Sequence, residues 1–271
     1  MNLKSNELIT VTPKIRQKGF KDENILISSE EKDDFLYSKK KITEAVNNIE
    51  KYNLSLANKE ILNKILKSYH KIDDNKMLDE DDMYLRKHEN IELKKLATKD
   101  IPRYFIYRYK FNIFPKIKKI DNFPPCVQIE PTSVCNFRCI MCYQADKTFS
   151  NKSNGFMGHM SLDIFRKAID ELEGNIEAIT FASRGEPTLN QKFNEMLEYT
   201  NNKFLGLKLN TNASMLNEKL IHTILSSSLQ TIVFSIDAKD KEAYEKIRIN
   251  GNFDKVIKNL ELFNNIREKE Y

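Results

Sequence analysis

The stretch "CVQIEPTSVCNFRCIMCYQAD", residues 126–146, joins two unlike pieces of chain. "CVQIEPT" (126–132) reads as a buried strand, and it runs directly into a loop that carries three of the chain's four cysteines, Cys135, Cys139 and Cys142. A strand that empties into a cluster of thiols is the arrangement expected where a parallel sheet presents its chemistry at the carboxyl ends of its strands.

Working outward toward the C-terminus, the same strand-then-helix pattern repeats. "SLDIFRKAIDELE" (161–173) has Ser161 as a candidate N-cap and apolar residues at Leu162, Phe165, Ile169 and Leu172. "IEAITFAS" is a second strand with "QKFNEMLEYTNNK" as its helix, and "GLKLNTNA" a third with "NEKLIHTILSSS". "TIVFSIDA" is the fourth, followed by "KEAYEKIRI" and "FDKVIKNLELFNNIRE". Four strands separated by helices predict right-handed βαβ units and a parallel sheet. The cysteines, "SRGEP", "NTN" and "SID" then all fall at the carboxyl ends of strands.

Toward the N-terminus the texture changes. Residues 1–120 carry 26 Lys/Arg against 19 Asp/Glu, a net of +7; residues 121–271 carry 18 against 20, a net of −2, and the two sum to the +5 of the whole. The contrast predicts two domains, a mainly helical, basic region of unknown role at 1–120 and an α/β region at 121–271. "KKITEAVNNIEKYNLSLANKEILNKILKSYHKI" places Ile42, Val46 and Ile49, then Leu54, Ile61, Leu62, Ile65 and Leu66, at helical spacing, which predicts two amphipathic helices with a break near Asn53. "DDNKMLDEDDMYL" is expected to be a solvated acidic loop. "IPRYFIYRYKFNIFPKIKKI" (101–120) holds six basic and six aromatic residues and no acid. Such a stretch can meet nucleic acid or a membrane surface; we expect it instead to pack its aromatics on the neighbouring domain while its cations reach water.

The 271 residues are 40% hydrophobic, enough for a packed core. No apolar run approaches the ~20 residues that span a bilayer, and the N-terminus lacks the apolar core of a secretory signal. A cytoplasmic protein is therefore expected, without a membrane span and without nucleic acid as a partner. In that compartment a tight cysteine cluster points to metal or catalysis, not to disulfides.

Thiolates bind zinc or iron–sulfur clusters. Structural zinc wants four ligands, and the Cx3CxxC spacing here has no second knuckle. Cys126 lies across a predicted strand, roughly 20–30 Å from the loop at about 3.3 Å per residue, and is read as a core cysteine. His159 remains a remote fourth zinc ligand. A four-iron cluster held by three thiolates would instead leave one iron open to a small molecule.

With these residues in order, the chain resembles the radical S-adenosylmethionine (SAM) superfamily across residues 126–271. The Cx3CxxC loop after the first strand resembles the superfamily's cluster motif. "GEP" (185–187) resembles its GGEP motif, with Arg184 in place of the first Gly, and "LNTNA" resembles its TNG-type segment. "SIDAKDKEAYEKIRINGNFDKVIKNL" resembles the strand-four region of the subgroup that usually carries a SPASM domain.

The resemblance implies a partial (β/α) barrel of about four βα units. It implies that Cys135, Cys139 and Cys142 ligate a [4Fe–4S] cluster whose fourth iron holds the methionine end of SAM. Gly185 and Glu186 should meet the SAM amino group, Ser235 the ribose or carboxylate end, and Arg248 the carboxylate. Asn210 and Asn212 should orient SAM or substrate, and Met141 should lie beside adenine. Read from the residues alone, Asn212 serves equally as a turn residue, Arg248 as a surface cation and Asp237 as a helix N-cap. The implied reaction is reductive cleavage of SAM to a 5′-deoxyadenosyl radical that abstracts a hydrogen atom from a peptide or small-molecule substrate. The electron would come from an external donor of flavodoxin or ferredoxin type. The superfamily core usually has six βα units, and no cysteine follows Cys142. We therefore expect a truncated product, or a partner chain that completes the barrel; an inactive or partner-dependent iron–sulfur-binding remnant is the alternative function.

Overall fold

The computed structural model describes residues 32–271, which form two compact units, one ending at Ile120 and the other running from Asp121 to Tyr271. In the first unit, α1 (Lys32–Asn47) buries Phe35, Ser38, Ile42 and Ala45, one stripe at helical spacing. Ser55 caps α2 (Leu56–Asp73) by accepting from the Asn58 amide, and Ile61, Leu62, Ile65 and Tyr69 form its buried face. α3 (Lys87–Lys94) and α4 (Ile101–Ile113) complete the bundle. The Tyr69 hydroxyl donates to Ser38 Oγ at 3.0 Å and accepts from the Leu85 amide at 3.0 Å, tying α1, α2 and the 82–85 segment together.

Two expectations change here. The acidic stretch 73–85 is not merely solvated: Asp82 is buried and accepts from Lys71 Nζ (2.7 Å), Ser68 Oγ (2.8 Å) and the Asp79 amide (2.7 Å), while Met83 and Leu85 enter the core. In 101–120, Tyr104, Phe105, Tyr107 and Tyr109 are buried on α4. Arg108 does not reach water. It is buried against Glu89, whose carboxylate also accepts from Asn112 Nδ2 and the Arg86 amide, each at 2.8 Å. A buried charge needs such a partner, and the amphipathic reading of the sequence could not supply one from 19 residues away.

In the second unit the order is β1 (Cys126–Ile129), α5 (Lys147–Ser150), α6 (Leu162–Leu172), β2 (Ala178–Phe181), α7 (Phe193–Tyr199), β3 (Gly206–Thr211), α8 (Glu218–Ser226), β4 (Thr231–Phe234), α9 (Lys241–Ile247) and α10 (Phe253–Glu270). The four strands pair in sequence order, all parallel, as the βα repeat predicts. Ile129, Ile179, Phe181, Leu207 and Leu209 form one buried cluster with Phe165 and Ile169 of α6, Met196 of α7, Ile221 of α8 and Phe263 of α10. Alternation puts Gln128, Thr180, Lys208 and Thr231, one register row across the sheet, on the opposite face, where none is buried. The result is an open, partial (β/α) barrel. Cys126 is half-buried on β1. No helix among the described residues is long and apolar enough to cross a membrane.

Candidate functional site

The loop after β1 is held from three directions. From behind, the 156–160 segment pairs with it: the Met160 amide donates to Pro131 O (2.9 Å), the Ser133 amide to Gly158 O (3.0 Å), and Ser133 Oγ to Phe156 O (3.0 Å). His159 lies in this backing segment, exposed, in a bridge with Thr132. From the β2 side, the Glu186 amide donates to Val134 O at 2.9 Å. From the far side, the Arg138 and Ile140 amides donate to Ile249 O (2.8 Å) and Ile247 O (3.0 Å), two rungs that flank Cys139 and Arg248.

Gly185 explains the second of these grips. A Cβ there would stand 1.8 Å from Thr132 O and 2.8 Å from Val134 O, so only glycine lets the loop after β2 lie against the cysteine loop. Glu130, which the motif reading did not single out, fixes the same loop: Oε1 accepts from the Arg184 amide (2.6 Å) and the Gly185 amide (3.3 Å), and Oε2 from Arg184 Nη2 (3.1 Å). Gln144, also missed, is buried and donates through Nε2 to Ser133 O (2.7 Å) and Arg184 O (2.9 Å).

Glu186 points inward. Its Oε1 accepts from Thr188 Oγ1 (2.5 Å) and Thr211 Oγ1 (2.6 Å), and Oε2 from the Asn212 amide (2.7 Å). Burial pushes the carboxyl above its ordinary range, against the pull of these hydrogen bonds. Asn212 donates from Nδ2 to Asn136 Oδ1 (3.0 Å) and accepts at Oδ1 from Ser214, so its side chain joins the loop after β3 to the residue beside Cys135. Asn136 Nδ2 returns the link, donating to Ser214 Oγ at 2.8 Å. The Ser235 amide donates to Thr211 O at 2.8 Å, which sets Ser235 at the carboxyl end of β4. Met141 is 60% exposed.

Arg248 is not a surface cation. Its Nη1 donates to Cys139 Sγ at 3.4 Å and its Nη2 to Asp237, with 14% of the side chain exposed. Asp237 is thus the arginine's partner; the N-cap of α9 is Asp240, which accepts from the Ala243 amide. The sequence could not choose between two aspartates three residues apart.

The three thiols share one loop. Cys139 is buried, Cys135 and Cys142 are half-buried, and all three pack on the core cluster. Burial, with further pushes from Glu186, Cys139 and Cys142, raises the Cys135 thiol to about 11, partly offset by the Phe137 amide. Among the described residues no group of three or more His, Cys, Asp or Glu side chains is arranged to hold a metal ion. A single zinc would draw thiolates to about 2.3 Å from one point. Three thiols on one loop, all packed on the core cluster, are the donor set that a four-iron cluster with one open iron would take. Asn210 Oδ1 and Arg248 Nε, like Gln144 Oε1 and Tyr244 Oη, are buried with no hydrogen-bond partner, and the first two suit a further ligand.

Comparison with known proteins accords with this geometry. The family model described as the Radical SAM superfamily matches residues 129–267. The chain is 26% identical over 142 residues to the mycofactocin maturase MftC of Mycolicibacterium smegmatis, covering 52% of this chain and 35% of that protein. It is 29% identical over 111 residues to the tungsten-containing aldehyde ferredoxin oxidoreductase cofactor-modifying protein of Pyrococcus furiosus, covering 40% of this chain and 30% of that one. The chain thus spans about a third of the length of these relatives. Among solved structures, Streptococcus suis SuiB bound to precursor peptide SuiA aligns over 77% of this chain and 44% of its own, at 16% identity and a TM-score of 0.44, a likeness too loose to build on.

Proposed function

Because the chain belongs to the radical SAM superfamily, whose cofactors are a [4Fe–4S] cluster and SAM, we propose that it is a SAM-cleaving radical enzyme in which Cys135, Cys139 and Cys142 hold the cluster. The observation that carries this reading is the meeting of three thiols on one loop with a guanidinium on the central one. When bound, the cluster supplies one electron and SAM supplies the group that takes a hydrogen atom from substrate.

The chain's own residues position and enclose. The loop after β2, seated by Gly185, presents its backbone beside the cysteine loop, where it would meet the SAM amino group. Glu186 supports that loop from inside, through Thr188, Thr211 and Asn212. Two of the unpartnered buried polar atoms, Arg248 Nε and Asn210 Oδ1, offer a donor for the SAM carboxylate and an acceptor for SAM or substrate. Ser235 would meet the ribose or carboxylate end, and exposed Met141 would lie beside adenine. An external flavodoxin- or ferredoxin-type donor would bring the electron. The substrate is a peptide or small molecule. A reducing cytoplasm would keep the four cysteines, none of which is in a disulfide here, as thiols.

The test is release of 5′-deoxyadenosine from SAM and dithionite by the anaerobically reconstituted chain, beside Cys139→Ala. Release by the parent alone is expected. A parent that loads iron yet releases nothing would overturn the catalytic reading and leave an iron–sulfur-binding protein.

A further inference from the structure

The segment 247–249 lies alongside 138–140 so that Arg248 faces Cys139 between two backbone hydrogen bonds. This is a built frame. The Arg248 amide donates to Tyr244 O at 2.7 Å, and the Gly251 amide donates to Arg248 O at 2.7 Å. A Cβ on Gly251 would stand 2.7 Å from Arg248 O and 3.0 Å from the Tyr244 ring, so the turn closes tightly under the arginine. Tyr244 is fully buried, its ring centroid 5.4 Å from that of Phe253 with the planes tilted by 58°. Asp237 takes a left-handed backbone conformation, φ 61°, which aspartate tolerates better than most residues, and it engages Nη2.

We propose that Arg248 is a positioning residue that sets the reduction potential of the cluster through its hydrogen bond to Cys139 Sγ, with Asp237 as its anchor. The inference rests on the cluster assignment above and goes beyond it. One-electron reduction adds negative charge to the cluster and its sulfur ligands. A fixed cation that donates to one of those sulfurs stabilises the reduced form more than the oxidised form, and so raises the potential. The guanidinium can do this while serving SAM, because its three nitrogens point to three places: Nη1 to Cys139, Nη2 to Asp237, and Nε to no partner. Lysine, a single point of charge, cannot hold the two acceptors in the same fork.

The test is a dithionite titration of the reconstituted full chain without SAM, followed by the electron-spin signal of the reduced cluster, for the parent, Arg248→Met, Arg248→Gln and Arg248→Lys. Iron per chain and absorbance are matched beforehand. The expected order of midpoint potential is parent highest, Lys and Gln lower, Met lowest. Equal potentials at equal loading would overturn the inference while leaving the cluster assignment standing. If Arg248→Met fails to load, the Gln and Lys variants decide, since either at the parent potential overturns it. A parent that takes up no cluster overturns the cluster assignment itself, and this inference with it.

Discussion

Gly185 and Thr132 touch backbone to backbone: a methyl group added at 185 would stand 1.8 Å from the Thr132 carbonyl oxygen. The loops after β1 and β2 share one position only because this glycine has no side chain. Gly185→Ala should therefore force them apart, with a stability loss of at least the about 1–3 kcal/mol typical of overpacking. Denaturant unfolding and iron per chain after reconstitution should both fall. Normal loading at normal stability would show that the approach is not needed.

Glu186 offers a sharper separation of roles. Its carboxylate is occupied by Thr188, Thr211 and Asn212, so Glu186→Gln must turn an amide NH2 toward at least one donor. The expected loss is about 1–3 kcal/mol of stability. Calorimetric SAM affinity of the reconstituted variant is expected to stay near that of the parent. An affinity loss at unchanged stability would instead point to direct contact with the SAM ammonium.

Asn136 ties the cysteine loop to the loop after β3 through Asn212 and Ser214. Asn136→Ala leaves Asn212 Nδ2 and the Ser214 hydroxyl each short of one partner. Iron uptake should fall below that of the parent while far-ultraviolet dichroism is retained.

The helical unit should be acid-sensitive through Glu89. Burial pushes its carboxyl up, but the Arg108 charge, the Arg86 amide and Asn112 outweigh it, so it lies below the ordinary range. The unfolded chain thus takes up a proton at higher pH than the folded one. Stabilisation is complete above the unfolded value of about 4.3 and is lost as pH falls through the folded value. Amide exchange in α4, corrected for intrinsic rates, should accelerate below that range. Glu89→Gln should remove much of this dependence and cost about 3–5 kcal/mol at neutral pH, because Arg108 is left buried and unpaired.

What was legible in the sequence was periodic or local. The βα alternation, the parallel order and the Ser161 cap, which accepts from the Ile164 amide at 3.3 Å, each follow from residues a few positions apart. What was not legible depends on residues distant in sequence. Glu130 fixes Arg184 across 54 positions and Arg248 meets Cys139 across 109, and no spacing rule reaches that far. The same limit made Asp82 look solvated and Asp237 look like a cap. Each aspartate's partner is a cation that only the folded chain brings near.

The clasp of 247–249 on 138–140 also has a consequence in time. During synthesis the three cysteines leave the ribosome about a hundred residues before the last of the three segments that hold their loop. Over that interval the loop lacks the two backbone hydrogen bonds that flank Cys139. The full set of contacts around the cysteine loop is therefore in place only once residue 249 has been made.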